Sequence, residues 1–100
     1  MTKIMLVEDD KSLREIYGVR LLAEGYDIVS AADGEEALAM AIKERPKLII
    51  SDVMMPNLDG FGLLREIRSD QRTREIPMVL LSARAGEEAF LQGIETGVDD

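Results

Sequence analysis

The sequence predicts an α/β domain built on an open parallel sheet with helices on both faces. Short apolar runs with strand character alternate four times with segments of helical periodicity along 100 residues. Alternation of this kind gives parallel strands joined by right-handed helical crossovers. The run Leu48–Ser51 is apolar almost throughout, which is typical of a central parallel strand covered on both faces. A chain of this length holds one domain.

The first half of the chain contains two strand–helix units. Lys3 to Val7 is the first strand, and residues 11–24 have helical spacing that ends at Gly25. The apolar face expected for this helix consists of Leu13, Ile16, Tyr17 and Leu21. Tyr26 to Ala31 alternates more weakly, as an edge strand does. Asp33, with a glutamate three residues later, is expected to cap the second helix.

The second half repeats the pattern. Leu48 to Ser51 is the third strand, and Asp59-Gly60 opens a third helix. The residues of that helix expected to face inward are Leu63, Leu64 and Ile67. Pro77 precedes a fourth strand, Met78 to Ser82, and residues 86–96 are predicted to form a fourth helix. No internal repeat, linker or low-complexity segment interrupts this order.

Composition excludes several classes of function. The net charge is -8, from 20 acidic and 12 basic side chains, so the domain is a poor nucleic-acid binder by itself. The chain has no cysteine and no histidine, which excludes disulfides, thiolate chemistry, an imidazole base and nitrogen-ligated metals. No apolar run approaches a membrane span of roughly 20 residues. The start leads directly into a strand, so we expect no signal peptide and a cytoplasmic location.

Acidic residues follow two of the predicted strands at the point where each strand ends. Glu8, Asp9 and Asp10 come directly after the first strand, and Asp52 follows the third. Ligands bind outside the carboxyl ends of the strands in an open parallel sheet. Oxygen-only ligands suit magnesium, calcium or manganese. For Asp10 the better interpretation is a helix cap, a role that Ser12 also fits.

Three blocks of residues carry a resemblance to a known family. They are Val7-Glu8-Asp9-Asp10, then Ser51-Asp52 followed by Met55-Pro56 and Asp59-Gly60, then Leu81-Ser82-Ala83. Each block alone is a weak signal, but all three in order on these elements resemble the receiver domain of bacterial two-component response regulators. The resemblance covers the whole chain. It implies a flavodoxin-like, CheY-like fold with strand order 2-1-3-4-5.

The resemblance also implies a phosphorelay function. Asp52 would accept a phosphoryl group from a histidine kinase or phosphotransfer protein. Mg²⁺ would be bound by Asp9, Asp52 and the backbone carbonyl of Met54, with Glu8 acting through a metal-bound water. The Ser82 hydroxyl would sense the phosphoryl group. Such a domain promotes its own phosphorylation and dephosphorylation but is not a turnover enzyme.

The chain departs from the family at its end. A receiver normally continues with a fifth strand, which carries an aromatic residue and a Lys-Pro pair, and with a fifth helix. We therefore expect one receiver domain over residues 1–100, truncated at its C-terminus, with strand order 2-1-3-4. The exposed edge of strand 76–82 would then invite pairing with another chain in a dimer or swapped assembly.

Two alternative functions remain open. The first is a truncated or engineered receiver scaffold without signalling output, since the family's lysine is missing. The second is an Mg²⁺-dependent phosphatase with Asp52 as nucleophile. Met54 argues against the phosphatase, because such enzymes usually place a second acid two residues after the nucleophile.

Overall fold

The computed structural model describes residues 2–81, in which four strands and three helices alternate. The strands are β1 (Lys3–Val7), β2 (Asp27–Ala31), β3 (Leu48–Asp52) and β4 (Met78–Leu81). The helices are α1 (Lys11–Ala23), α2 (Gly34–Glu44) and α3 (Gly60–Ser69). The predicted fourth helix at residues 86–96 lies outside the described residues. Between residues 2 and 81, no helix is long and apolar enough to cross a membrane.

All strand pairs in the sheet are parallel, and the order is β2-β1-β3-β4. The predicted alternation, the order 2-1-3-4 and the edge position of β2 are therefore confirmed. Val7 at the end of β1 pairs with Ser51 of β3, and Asp52 pairs with Leu81 of β4. This register places the residues that follow β1 and those that follow β3 side by side at the carboxyl end of the sheet.

An aspartate caps each of these three helices at the same, carboxyl end of the sheet. The carboxylates of Asp10, Asp33 and Asp59 each accept a hydrogen bond from the backbone N–H three residues later, at 3.0, 2.9 and 2.7 Å. A cap of this kind typically contributes about 1 kcal/mol to helix stability. Asp10 rather than Ser12 caps α1, and the predicted caps at Asp33 and Asp59 are confirmed.

The core lies between one face of the sheet and two helices, α2 and α3. Its fully buried side chains include Met5, Val7, Ala37, Ala41, Ile49, Leu63, Leu64 and Ile67. The next residues along the strands, Leu6 and Ile50, point to the opposite face and line a cleft with Leu21 of α1. Helices therefore cover both faces of the sheet, and the prediction for the inward residues of α3 is confirmed.

The inward face predicted for α1 is wrong at Ile16 and only partly right at Tyr17, which is 36% exposed. The Ile16 side chain is 60% exposed, and no residue of α1 is fully buried. The helix packs mainly against β1 and β2, at one half of the sheet. Among the strands of residues 2–81, none therefore lies beneath part of its apolar stripe. A helical period alone does not say how much of the stripe meets the sheet.

Gly60 is the residue through which α3 touches the end of β3. Its N–H donates to the Val53 carbonyl at 2.9 Å, and a Cβ added there would overlap the carbonyl oxygen of Asp52. Because backbone must move to admit a methyl group, we expect Gly60→Ala to lower the free energy of unfolding by about 1–3 kcal/mol.

Gly18 provides the matched control for Gly60. It lies inside α1 with no atom within 4 Å of an added Cβ, so Gly18→Ala should raise the free energy of unfolding by about 0.5–1 kcal/mol. Urea unfolding followed by far-ultraviolet circular dichroism measures both changes. Equal stability of the two variants would contradict the close approach of α3 to β3.

Candidate functional site

Three carboxylates converge where β1 and β3 end. One oxygen from each of Glu8, Asp9 and Asp52 lies within 4.8 Å of the other two. Glu8 is buried, Asp52 is half-buried and Asp9 is exposed. The pairing of Val7 with Ser51 explains the convergence, because it sets the exits of the two central strands next to each other. The structure thus brings together three of the predicted site residues.

Glu8 is held on several sides. Its Oε1 accepts from the Asp10 N–H at 3.2 Å, and its own N–H donates to the Ala31 carbonyl at 3.1 Å. The guanidinium of Arg14 donates to the Glu8 carbonyl at 2.7 Å. These bonds fix the peptide between Glu8 and Asp9, and so the direction in which the acidic pair leaves β1.

Burial is the main cause of the raised pKa of Glu8. The side chain is 6% exposed, and burial raises its pKa to about 7. The negative charges of Asp52, Asp9 and Asp10 act in the same direction, whereas the hydrogen bond from the Asp10 amide opposes them. Without a cation, Glu8 therefore keeps its proton to a higher pH than an ordinary glutamate does.

Asp52 shows the same effect more weakly. Burial raises its pKa, and the nearby charge of Asp9 raises it further. The amides of Val53 and Met54 oppose these effects, and the Val53 N–H donates to Oδ1 at 2.9 Å. A cation among these carboxylates would remove their mutual repulsion and favour the ionised forms.

The geometry fits a small oxygen-seeking cation. Ligands at about 2.1 Å from Mg²⁺ lie no more than about 4.2 Å apart across the ion. The carboxylate oxygens, within 4.8 Å of one another, come close to that spacing, and a water between such an ion and one carboxylate would take up the difference. Donors consisting of oxygen alone match the preference of Mg²⁺, Ca²⁺ and Mn²⁺.

A cleft of about 240 Å³ opens beside the carboxylates. Its apolar lining includes Leu13, Tyr17 and Leu81, and Met54 also lines it. The Met54 side chain is 54% exposed, as expected of a residue on the loop surface. Leu81 pairs with Asp52 across the sheet, and the predicted sensing residue, Ser82, follows it in sequence but lies outside the described residues.

Sequence reasoning missed two contacts around this site. Arg14 donates to the Glu8 carbonyl, and Asn57 of the loop after β3 donates to the Asp33 carboxylate at 3.2 Å. The position of Arg14 in the first turns of α1 is a weak signal for the first contact. No sequence pattern signals the second, because Asp33 and Asn57 lie 24 residues apart.

Comparison with known proteins points to one family. Residues 4–100 match the response regulator receiver domain family. The probable transcriptional regulator ycf27 of Porphyridium aerugineum is 42% identical over 98 residues, which are 98% of this chain and 40% of that protein. The chain therefore spans about two fifths of the length of this curated relative.

Solved structures show the same fold. A putative response regulator from Chloroflexus aurantiacus has a TM-score of 0.92 and 33% identity, covering 99% of this chain and 81% of that one. The receiver domain of the sensor histidine kinase PA1611 from Pseudomonas aeruginosa has a TM-score of 0.88 and 31% identity, over 99% and 81% of the two chains. In that structure a magnesium ion is coordinated in the active-site cleft.

Proposed function

Because this chain belongs to the response regulator receiver domain family, we propose that Asp52 accepts a phosphoryl group from a histidine kinase or phosphotransfer protein. The observation that carries this proposal is the convergence of Glu8, Asp9 and Asp52 at the carboxyl ends of the central strands. Asp52 is a half-buried carboxylate beside a cleft and two further acids. With a cation bound, such a carboxylate is suited to accept a phosphoryl group. The domain acts as a phosphoacceptor and not as a turnover enzyme.

Mg²⁺ is the cation that this site is proposed to hold. Asp9, Asp52 and the Met54 carbonyl would bind it directly, and Glu8 would act through a water. The oxygen-only donor set supports this assignment, as does the magnesium ion in the related PA1611 receiver domain. When bound, the ion neutralises the repulsion between a carboxylate nucleophile and a phosphoryl group.

The protein's own groups prepare Asp52 for attack. The Val53 N–H holds Oδ1 at 2.9 Å, which restrains rotation of the carboxylate. A carboxylate oxygen forms the bond to phosphorus while the bond from phosphorus to the donor breaks, and the leaving group departs with that electron pair. Ser82 is proposed to donate its hydroxyl to a phosphoryl oxygen of the product.

The edge of the sheet bears on assembly. Within residues 2–81, β4 has a hydrogen-bonded neighbour on one side, which is β3. Pairing of its other side with a second chain remains a prediction. A dimer or swapped assembly of this kind is separate from phosphorylation and does not affect the assignment of Asp52.

Incubation of the full chain with a small phosphodonor and Mg²⁺, followed by intact mass measurement, tests the function. We expect one added phosphoryl group on the unsubstituted chain and none on Asp52→Asn. Asp59→Asn is the matched control: it makes the same chemical change in a nearby carboxylate, and asparagine still caps α3. That variant should be phosphorylated normally.

Two other outcomes would contradict the proposed function. Release of free phosphate over many turnovers without a stable adduct would indicate an aspartate-nucleophile phosphatase. Absence of any reaction while Mg²⁺ still binds would indicate a scaffold without signalling activity.

A further inference from the structure

We propose, on the premise that the site proposed above holds Mg²⁺ with the Met54 carbonyl as one ligand, that Asp33 and Asn57 are positioning residues for that site. The N-cap of α2, Asp33, and its first residue, Gly34, contact Asn57 and Leu58 of the loop that follows β3. We call these four residues the α2 clamp. By fixing the loop over residues 53–59, the clamp would orient the Met54 carbonyl toward the cation.

Two backbone hydrogen bonds hold the first residue of this loop. The Val53 N–H donates to the Leu81 carbonyl at 3.1 Å, and the Gly60 N–H donates to the Val53 carbonyl at 2.9 Å. Both bonds anchor the same residue, Val53, which is buried. Met54 follows directly, with its side chain 54% exposed. The orientation of its carbonyl therefore depends on what holds the rest of the loop.

Asn57 has an unfavourable backbone conformation. Its φ is 69°, and the Leu58 N–H donates to the Pro56 carbonyl at 2.8 Å, which forms a tight turn centred on Asn57. Residues other than glycine seldom adopt this region, although asparagine does so more readily than most, and the conformation persists where the surroundings enforce it. The Asn57 amide donates to Oδ2 of Asp33 at 3.2 Å, so α2 supplies part of that enforcement.

The start of α2 is a rigid anchor for this contact. Oδ1 of Asp33 caps the helix through the Glu36 N–H at 2.9 Å, so both carboxylate oxygens are engaged. Gly34 is buried, and a Cβ added there would lie 2.7 Å from Cβ of Leu58. The helix and the loop therefore touch without space for a side chain, and the half-buried Leu58 packs against the core.

The distance along the chain from the clamp to Met54 is short. Met55 packs against the core, and the φ angle of Pro56 is fixed by its ring. Few rotatable bonds therefore separate Asn57 from the Met54 carbonyl. The orientation of that carbonyl should change when the position of Asn57 changes. Because Mg²⁺ demands near-ideal octahedral geometry, misorientation of one ligand should weaken its binding.

Two substitutions test the clamp through Mg²⁺ affinity, measured by isothermal titration calorimetry on the full chain at fixed ionic strength. Asn57→Asp places two carboxylates at the present contact and should raise the Kd for Mg²⁺ by about fivefold, within the coupling range of contacting residues. Its added negative charge would by itself tighten cation binding, so weaker binding cannot result from charge alone.

The double variant Asp33→Asn with Asn57→Asp restores an amide–carboxylate pair with reversed polarity and the original net charge. Asparagine also caps a helix, so α2 keeps its start. We expect the Kd to return to that of the unsubstituted chain. Failure of this rescue, or unchanged or tighter binding by Asn57→Asp, would overturn the inference.

Asn57→Gly separates positioning from stability. Glycine adopts a positive φ without strain but lacks the amide that reaches Asp33. Mg²⁺ binding should weaken while the free energy of unfolding without Mg²⁺ stays the same or rises; equal affinity would count against the clamp. An unsubstituted chain that binds no Mg²⁺ would overturn the proposed metal site itself, and the clamp with it.

Discussion

Glu8→Gln is expected to stabilise the Mg²⁺-free protein by about 2–4 kcal/mol at about pH 8. In the folded chain the pKa of Glu8 is about 7, above its ordinary value of 4.5, because the side chain is buried among other acids. The raised pKa favours the neutral carboxyl. Its contribution to stability is complete below pH 4.5 and is lost as the pH rises through about 7. Glutamine is neutral throughout and avoids this loss.

Urea unfolding in the presence of a chelator, at about pH 5 and about pH 8, measures this difference. The unsubstituted chain should lose stability between the two pH values, and Glu8→Gln should lose less. The raised pKa of Asp52 leaves a smaller residual loss in the same direction. Glu15→Gln, which removes an exposed glutamate from α1, should behave like the unsubstituted chain. An identical pH dependence of Glu8→Gln and the unsubstituted chain would contradict the raised pKa.

Asp9→Asn is expected to weaken Mg²⁺ binding by at least about tenfold. Loss of a group that only supports a metal ligand already costs about that much, and Asp9 is proposed to be a direct ligand. The side chain is exposed, and its charge repels those of Glu8 and Asp52, so the free energy of unfolding without Mg²⁺ should stay the same or rise. Calorimetric titration with Mg²⁺ and urea unfolding measure the two quantities.

Asp10→Asn is the control for Asp9→Asn. It removes the same charge from the neighbouring residue and keeps an effective cap for α1. Its Mg²⁺ affinity should stay close to that of the unsubstituted chain. If the two variants lose affinity equally, net charge near the cleft and not direct ligation governs binding.

The convergence of carboxylates could be predicted from the sequence because it depends on a rule of parallel sheets. Two parallel strands that are both followed by acidic residues place those residues together at the carboxyl end of the sheet. The caps at Asp33 and Asp59 follow from local sequence patterns. The exposure of Ile16 could not be predicted, since periodicity gives the face of a helix but not the strands beneath it.

The contacts that hold the site lie beyond sequence patterns. The bond from Arg14 to the Glu8 carbonyl depends on how α1 follows β1, and the bond from Asn57 to Asp33 depends on how two distant segments meet in space. The pKa of Glu8 likewise depends on the degree of burial, which a charge count does not contain. Local rules therefore predict the strands, the helix caps and the convergence of the acids, whereas these contacts and the pKa of Glu8 depend on tertiary packing.

Locating the phosphoryl group tests most directly whether Asp52 is the phosphoacceptor. After reaction with a phosphodonor and Mg²⁺, borohydride reduces an acyl phosphate to an alcohol, which marks the phosphorylated carboxyl as a stable residue. Fragmentation and mass measurement should then find homoserine in place of Asp52 and at no other position. Reduction at Asp9 or Asp59 instead, or no reduced residue in a chain that binds Mg²⁺, would contradict the assignment of Asp52 as the phosphoacceptor.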